Sequence, residues 1–553
     1  MSSLKFISIK LNQKKMQFKL LNLLGLNTFL FSWALAQSDS NFAPAPKKIE
    51  KITILRQNIF DSTLPQYKKF PYSWANKFHI LTKEKVIQRE LLFAAGDSYN
   101  QELIEESERN LRRYGFLGKV EIKAKENSKK NWEVTVETED LWSLSLAAAI
   151  SGAGDKYNYA LSLNDHNFLG WGQAVSVFYS QDHSTFFKEE YGLQFFDPRV
   201  FHSQHRVNLT VNKLSFGHWR VLDFRKPFYA LATKWSYGIS AEDLKDKVSF
   251  FQKGTEVLRN SYVHQKGEVF LARSFGYLKR KELGLAYFYQ RDRFRPVEIN
   301  SSLDTSTFSV TAETEKIGRL SLSFGLGEVQ YAQETRLDNF ERIEDLQLGW
   351  FAKAGVGKSL HLLGSEREDW YFSSYFRWGW KISSRQYLVL LNSNEAYWYK
   401  QNFEQVKNNW RVTYFNKSLP SQTIALGLNL SGISRQLKYR QITLGGDLGL
   451  RGYEINEFSG QKQILLNLED RIFTPLKILT VALGAVVFFD AGYLWEKESH
   501  INLKDLRTDV GLGLRLGFTK ALAGRVARID LAKALHEDRY FISLGVGQVF
   551  GWE

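Results

Sequence analysis

The residues whose types and spacing point most directly to chemistry are one arginine on a glycine-rich loop and two carboxylates further along the chain. Arg451 lies in the stretch LGGDLGLRGYEINEFSG, and Glu469 and Asp490 alternate with bulky apolar residues in the two segments that follow. A guanidinium group is a planar, permanently charged donor that suits carboxylates. If the loop folds inward, Arg451 meets one or both acids. Otherwise it lies in solvent at a loop tip, which spacing alone favours because exposed ion pairs are common and weak.

Motifs for catalysis or metal binding are missing from the sequence. It contains no Gly-x-Ser-x-Gly elbow, no His-Glu-x-x-His helix and no P-loop lysine. His202 and His205 form an isolated pair, whereas metals need three or four ligands. The chain has no cysteine, which excludes a thiol nucleophile, a disulfide and a Cys-x-x-Cys zinc site. We therefore predict a protein that is not an enzyme and has no catalytic, cofactor-binding or metal-binding residues; an enzyme or enzyme carrier is the weakest hypothesis.

The elements that must position Arg451 and the acids are alternating runs that fill residues 141–553. Leu320, Leu322 and Phe324 alternate with Ser and Gly, and the pattern recurs in later segments. Small residues opposite bulky ones are typical of a barrel with lipid outside and water inside. We predict a mainly β fold with an antiparallel transmembrane β-barrel of about 16 strands, because ~10 tilted residues span a membrane. A soluble β-sandwich or β-helix is the alternative.

Residues 37–140 follow a different pattern, with both helical and strand periodicity. A strand pattern from residue 49 is followed by two amphipathic helical segments, residues 83–92 and 101–115, and then by two alternating segments that indicate a hairpin. This β-α-α-β-β order predicts one small α+β domain with helices on one side of a sheet. Residues 61–80, with two prolines and several lysines and aromatic residues, are expected to form an insertion.

The N-terminus has the features of a secretory signal peptide. Two lysines precede an apolar stretch that ends in a small-x-small cleavage site before Gln37, so residues 1–36 are expected to be removed. Met16 is an alternative start. The formal net charge is +15, and in an exported protein this excess suits anionic lipid headgroups better than nucleic acid.

Several segments resemble bacterial surface antigens of the BamA/TamA type, a superfamily of outer-membrane barrel assembly factors and transporters. GGDLGLRGY, NLEDRIF, VVFFDAGYLW, DVGLGLRLGF and ARIDLAKAL follow one another in the order of that family, and LNDHNFLGWGQ and FFDPRVF resemble two earlier segments. Residues 86–122 resemble the POTRA domain, the periplasmic module that precedes the barrel. The resemblance covers about residues 50–553, and its strength lies in the order of the motifs.

This resemblance implies roles for three groups of residues. The arginine loop, between the eleventh and twelfth of 16 strands, folds into the barrel, and its arginine contacts the aspartate of an F-x-D-x-G strand. The C-terminal tail resembles the insertion signal of outer-membrane barrels, although Gln548 departs from it. Carried onto this sequence, the loop motif is Leu450, Arg451, Gly452 and Tyr453. The strand motif is Phe488, Asp490 and Gly492, with Glu469 as a second partner of the arginine. The insertion signal is Gly547, Phe550 and Trp552.

The resemblance further implies an outer-membrane protein that inserts or exports client polypeptides. Its POTRA domain, in the periplasm, offers a sheet edge to an extended client segment, and a weak seam between the first and last strands opens sideways. Expected partners are membrane lipid and lipopolysaccharide, unfolded barrel or secreted clients, and periplasmic chaperones or lipoproteins, without nucleic acid or cofactors. A two-partner-type secretion transporter and a passive channel or structural barrel are the alternatives. A single POTRA domain favours a specialised or accessory member.

Overall fold

The computed structural model describes residues 47–551 of the 553-residue chain, apart from residues 154–155, 183–187, 253–254, 300–312, 435–440, 496–501 and 522–524. The signal peptide predicted over residues 1–36, the alternative start at Met16 and the terminal aromatic residue Trp552 lie outside the described residues. Within these described ranges, none of the helices has the length and apolar character that crossing a membrane requires.

The N-terminal part of the described chain is a three-stranded sheet with helices. In chain order its elements are β1 (Ile49–Gln57), α1 (Tyr72–Phe78), α2 (Glu84–Gln88), α3 (Gln101–Arg112), β2 (Leu117–Glu126) and β3 (Trp132–Asp140). Strand β3 lies in the middle, parallel to β1 and antiparallel to β2. Helices α2 and α3 and the hairpin β2–β3 lie in the predicted segments, and the expected insertion, residues 61–80, contains a 3-10 turn and α1.

Helix α3 is positioned by its first turn and by its buried face. The side-chain oxygen of Asn100 accepts a hydrogen bond from the Glu102 backbone N–H at 2.8 Å, which satisfies one free donor of the first turn. Ile104 and Leu111 are buried in the same core cluster as Val136 of β3. Each such side chain contributes roughly 1.5–3 kcal/mol by leaving water, so this core holds the helix on the sheet.

The rest of the described chain forms one large antiparallel sheet. Its strands are β4 (Leu144–Ala153), β5 (Lys156–Asp165), β6 (Ala174–Asp182), β7 (Lys188–Asp197), β8 (Arg206–Leu214), β9 (Gly217–Lys226), β10 (Trp235–Gln252), β11 (Thr255–Phe275), β12 (Lys279–Ile299), β13 (Glu313–Glu334), β14 (Glu344–Ser359), β15 (Trp370–Ser383), β16 (Gln386–Tyr399), β17 (Asn402–Asn416), β18 (Gln422–Ser434), then, after the short pair β19 (Ile442–Leu444) and β20 (Phe458–Gly460), β21 (Lys462–Ile478), β22 (Val481–Trp495), β23 (Arg507–Phe518), β24 (Val526–Ala534) and β25 (Tyr540–Val546). Each strand from β4 to β25 pairs with the next one in the sheet, β18 pairs directly with β21, and the order brings β25 next to β4.

The large sheet has twenty strands in the described residues, not the sixteen that were predicted. The prediction assumed about 26 residues for a spanning strand and its turn. The six strands from β4 to β9 have only nine or ten residues each, and short connections join them. The additional strands precede the arginine loop, which therefore joins the fifteenth and sixteenth strands of the sheet. The five strands predicted after the loop are present as β21–β25.

Alternation along the strands sorts side chains between two faces of the sheet, as the sequence predicted. Leu320, Leu322 and Phe324 are exposed on the outer face, and the residues between them point to the other side. The sheet curves strongly enough to bring distant strands together on that other side. Arg471 of β21 donates to Asp338, in the turn before β14, at 2.8 Å. We call this enclosed side the inner face.

Ion pairs fix the N-terminal domain to the ends of the large sheet's strands. Arg112 of α3 donates from Nε and Nη2 to both carboxylate oxygens of Asp345 in β14, at 2.8 and 2.7 Å. Arg199, between β7 and β8, donates to Glu90 at 2.6 Å, and Glu90 also accepts from the Tyr114 hydroxyl at 2.6 Å. Burial and then the Glu90 carboxylate raise the pKa of Tyr114, so its hydroxyl stays a neutral donor.

Candidate functional site on the inner face

The arginine loop leaves the sheet after β18 and turns onto the inner face. Its short strands β19 and β20 pair as a hairpin, and the Gly446 backbone N–H donates to the Tyr453 carbonyl at 3.0 Å. Gly449 has a φ of 119°, a left-handed value that favours glycine. Leu450 and Tyr453 are buried and pack with Leu465 of β21. The part of the loop around Leu450 and Tyr453 is therefore packed in the interior.

Gly452 allows the loop to touch the wall of the sheet. A Cβ atom added there would lie 2.5 Å from the Cβ of Asp509 and 3.1 Å from the backbone nitrogen of Ala534. The neighbouring Tyr453 hydroxyl donates to the Thr508 carbonyl at 3.1 Å. Since these contacts come from β23 and β24, the L-R-G-Y motif is held directly against two strands near the end of the sheet.

Arg451 is buried, and three carboxylates surround its charge. Nε and Nη2 donate to the two oxygens of Asp490 at 2.8 and 2.9 Å, and Nη1 donates to Glu469 at 2.8 Å. Nη1 also lies 3.4 Å from Oδ2 of Asp530. The guanidinium carbon lies 3.5 Å from the ring centroid of Phe488, within cation–π range. The structure thus brings Arg451 together with both carboxylates named from the sequence and adds a third.

The strand opposite Asp490 supplies a further donor that ties the loop to the wall. Asn467 is the register partner of Asp490, and its Nδ2 donates to that carboxylate at 2.7 Å and to the Gly449 carbonyl at 2.8 Å. Gly492, the last member of the strand motif, faces the loop: a Cβ atom there would lie 2.8 Å from Cδ2 of Leu444. Asp490 therefore joins the loop, β21 and β22 in one hydrogen-bonded unit.

Glu469 and Asp530 carry arginine partners of their own. Glu469 accepts from Nε of Arg471 at 2.8 Å, and Asp530 accepts from Arg528 at 3.1 Å and from Arg515. Burying a charged group without a partner costs roughly several kcal/mol of folding free energy. A buried cluster of charges is therefore stable only when it contains both positive and negative groups. We call the following set of buried residues the arginine–carboxylate network: Arg451, Arg471, Arg515, Arg528, Glu469, Asp490, Asp509 and Asp530.

The C-terminal tail also enters the inner face, which the sequence did not predict. Strand β25 ends at Val546, and Gly547 turns the chain with a φ of 88°. Gln548 then donates to the Asp338 carbonyl at 3.1 Å and accepts from Nε of Arg515 at 3.1 Å. The position of Gln548, which did not fit a lipid-facing residue, follows from this turn because Gln548 is no longer part of the strand.

Phe550 lies inside the sheet, far from the outer face. Its carbonyl accepts from Nη2 of Arg471 at 2.7 Å, and its ring packs against the buried cluster that contains Tyr387 and Phe415. A Cβ atom added to Gly427 of β18 would lie 2.7 Å from this ring. Phe550 therefore lies on the inner face, and the use of Gly547, Phe550 and Trp552 as an insertion signal stays a prediction.

The chemistry of the inner face is ion pairing that holds a loop in place. Its carboxylates lie beside guanidinium groups that stay charged at any relevant pH, and the central pairs have no solvent contact. In the described ranges, no group of three or more His, Asp or Glu side chains is arranged to hold a metal ion. His205 is engaged by Ser203 and the Tyr237 hydroxyl. The site thus connects the loop to β21–β24.

A large antiparallel sheet with an outer apolar face, an inward arginine loop and a small α+β domain at the strand ends defines the class of POTRA-bearing outer-membrane barrels. Residues 167–548 match the profile described as the Omp85 superfamily domain. Residues 79–139 match the POTRA profile described as a surface antigen variable number repeat. The chain belongs to the Omp85 superfamily, as its motifs predicted. It is an outer-membrane protein of the barrel-assembly or polypeptide-translocation type.

Several solved structures are similar to this chain. BamA from Haemophilus ducreyi lacking POTRA domains 1–3 is 14% identical, with 91% of this chain and 84% of that chain covered and a TM-score of 0.38. CdiB from Escherichia coli is 12% identical, with 97% of each chain covered and a TM-score of 0.40. CdiB from Acinetobacter baumannii is 12% identical, with 91% and 74% covered and a TM-score of 0.40. No curated protein matches the chain.

Proposed function

We propose that this protein inserts client polypeptides into the bacterial outer membrane, or exports them across it, through a seam between its first and last sheet strands. The contrast between β21–β24 and the last strand, β25, carries the proposal. The arginine–carboxylate network fixes β21–β24 to the loop, whereas β25 has only seven residues and the chain leaves it at Gly547. The junction of β25 with β4 closes the sheet into a barrel and is the joint that opens.

The POTRA domain supplies the first contact with a client in this proposal. Its sheet ends in two edge strands, β1 and β2, and an edge offers unpaired backbone groups to an added strand. The pair between Arg112 and Asp345 holds the domain on the strand ends, so a bound client stays near the barrel. We place this domain in the periplasm, where chaperones or lipoproteins deliver clients, and the barrel in contact with lipid and lipopolysaccharide. The mechanism needs no catalytic residue and no cofactor.

A disulfide across the seam tests the proposal. The chain has no cysteine of its own, so Leu146→Cys can be combined in turn with Leu544→Cys and Val546→Cys, all at outward positions. Oxidation is expected to lower the assembly or secretion of client proteins in cells, measured by quantitative proteomics of membranes and medium. A reducing agent is expected to restore it.

The matched control places a disulfide across a permanent ladder. Leu512 of β23 and Leu531 of β24 are register partners, and both face outward. Cysteines at these two positions are expected to crosslink without any effect on clients. Full activity of the oxidised seam variants would refute the proposal. Ion conductance in planar bilayers, with no effect of depletion on other outer-membrane proteins, would favour a passive channel instead.

A further inference from the structure

An exposed stripe of aromatic side chains on the POTRA domain has no role in the seam mechanism. Phe70 is 80% exposed, Trp74 55% and Phe78 57%. Trp74 and Phe78 lie four residues apart on α1, and their ring centroids are 4.6 Å apart; residues at this spacing share one helix face. Phe70 lies four residues before Trp74, just ahead of the start of the helix at Tyr72. Contiguous exposed apolar surface of this kind marks an interaction site.

The stripe is presented by a fixed element. Asn76, between the two helical aromatics, donates to the Phe60 carbonyl at 2.7 Å and accepts from the Phe60 backbone N–H at 3.1 Å. Tyr72 packs its ring 4.9 Å from the ring of Phe60. The opposite side of α1 is therefore bound to the domain, so the exposed rings cannot turn inward.

The charge around the stripe is positive. Residues 64–80 contain Lys68, Lys69 and Lys77 and no acidic residue. Aromatic rings beside lysines are typical of segments that lie in a membrane interface, where rings enter the acyl boundary and ammonium groups meet anionic headgroups. Each lysine near an anionic surface contributes about 1 kcal/mol.

Residues 79–83, directly after α1, contact β3 and a turn of the large sheet. His79 and Asp140, directly after α1 and at the end of β3, are 2.9 Å apart. The Lys83 backbone N–H donates to the Gly170 carbonyl, between β5 and β6, at 2.9 Å. In the turn between β7 and β8, the side chain of Phe201 is 95% exposed. The hydrogen bond to Gly170 places the residues after α1 at the POTRA end of the large sheet, whose outer face meets lipid.

We propose that residues 64–80 form a membrane anchor that inserts Phe70, Trp74 and Phe78 into the phospholipid leaflet at the POTRA end of the barrel. The anchor holds the POTRA domain against the bilayer next to β4–β8. Its partner is a lipid surface: the rings are exposed on a helix flanked by lysines, and the residues that follow this helix contact a turn of the lipid-facing sheet.

Fluorescence quenching by lipid tests the anchor on the full-length protein. Single cysteines at Phe70, Trp74 and Phe78 are labelled with an environment-sensitive fluorophore in nanodiscs of phosphatidylethanolamine and phosphatidylglycerol. Nitroxide groups on the acyl chains are expected to lower emission about twofold or more at these positions, since such rings lie 5–10 Å deep in the interface. Lys129→Cys, on the exposed turn between β2 and β3, is the control and is expected to show no quenching.

A variant with Lys68, Lys69 and Lys77 all changed to Gln tests the charge. It is expected to reduce quenching in anionic discs and to leave it unchanged in phosphatidylcholine discs. Heat-dependent gel migration checks that each variant is folded. Quenching at the three aromatic positions equal to that at Lys129 would overturn the anchor. Emission that changes only when an unfolded barrel polypeptide is added would overturn it as well and would identify a client surface. Neither result depends on movement of the seam.

Discussion

The replacement Asp490→Ala removes the carboxylate that binds Arg451 through hydrogen bonds of 2.8 and 2.9 Å. Both side chains are fully buried, and removing one partner of a buried pair costs roughly 3–5 kcal/mol. Arg451 keeps Glu469 at 2.8 Å and Asp530 at 3.4 Å, so we expect a loss of about 3 kcal/mol. Arg451→Ala leaves Asp490 with the uncharged donor Asn467, and we expect about 4 kcal/mol.

The double variant distinguishes a shared interaction from two separate ones. It is expected to be about as unstable as Arg451→Ala alone, which corresponds to a coupling energy of about 3 kcal/mol. The assay is urea unfolding of the purified protein in lipid vesicles, followed by tryptophan fluorescence and by gel migration with and without heating. Lys533→Ala, which breaks an exposed pair with Asp538, is the control, with an expected change below about 1 kcal/mol. Additivity of the two defects within about 0.5 kcal/mol would refute the pairing.

Three further changes test the parts around this pair. Gly452→Ala places a methyl group 2.5 Å from the Cβ of Asp509, so we expect a loss of about 1–3 kcal/mol from overpacking and faster protease cleavage of the loop. Arg112→Ala removes two hydrogen bonds to Asp345 and is expected to broaden the POTRA-to-barrel distances measured by electron paramagnetic resonance between spin labels; an unchanged distribution would contradict this role. Deletion of residues 37–140 is expected to leave a barrel that inserts but does not support clients, and full activity of this truncation would remove the domain from the mechanism.

The inward position of Glu469 and Asp490 followed from alternation alone, because side chains two residues apart in a strand share a face. The same rule holds for Arg528 and Asp530, which are buried while Ile529 between them is exposed. That signal was available in the segment ARIDLAKAL. It does not assign Asp530 to the site, since nothing in the spacing relates β24 to a loop that departs from the sheet about 80 residues earlier.

The strand count and the tail depended on features that alternation does not contain. Spanning length sets a minimum for each strand, but β10–β13 have 18 to 22 residues and β4–β9 nine or ten, so an average length predicts the wrong number. The turn at Gly547 needs a left-handed φ. Glycine permits this conformation but does not require it, so the glycine alone does not predict the turn. Gln548 at an outward position was the one sign in the sequence that the strand ends early.

The tail and the seam compete for the same stretch of chain. Residues 547–551 lie on the inner face, where Phe550 packs beside Phe415 and binds Arg471. While they lie there, they cannot extend β25 alongside β4. Phe550→Ala removes most of this packing and is expected to cost about 2–3 kcal/mol, below the value for a fully buried ring. The released tail then extends β25, so the yield of the Leu146–Val546 cysteine crosslink is expected to rise. Leu544→Ala, at a lipid-facing position of the same strand, is the control and is expected to leave the yield unchanged. Equal yields in the two variants would show that the inward tail does not limit the length of the seam.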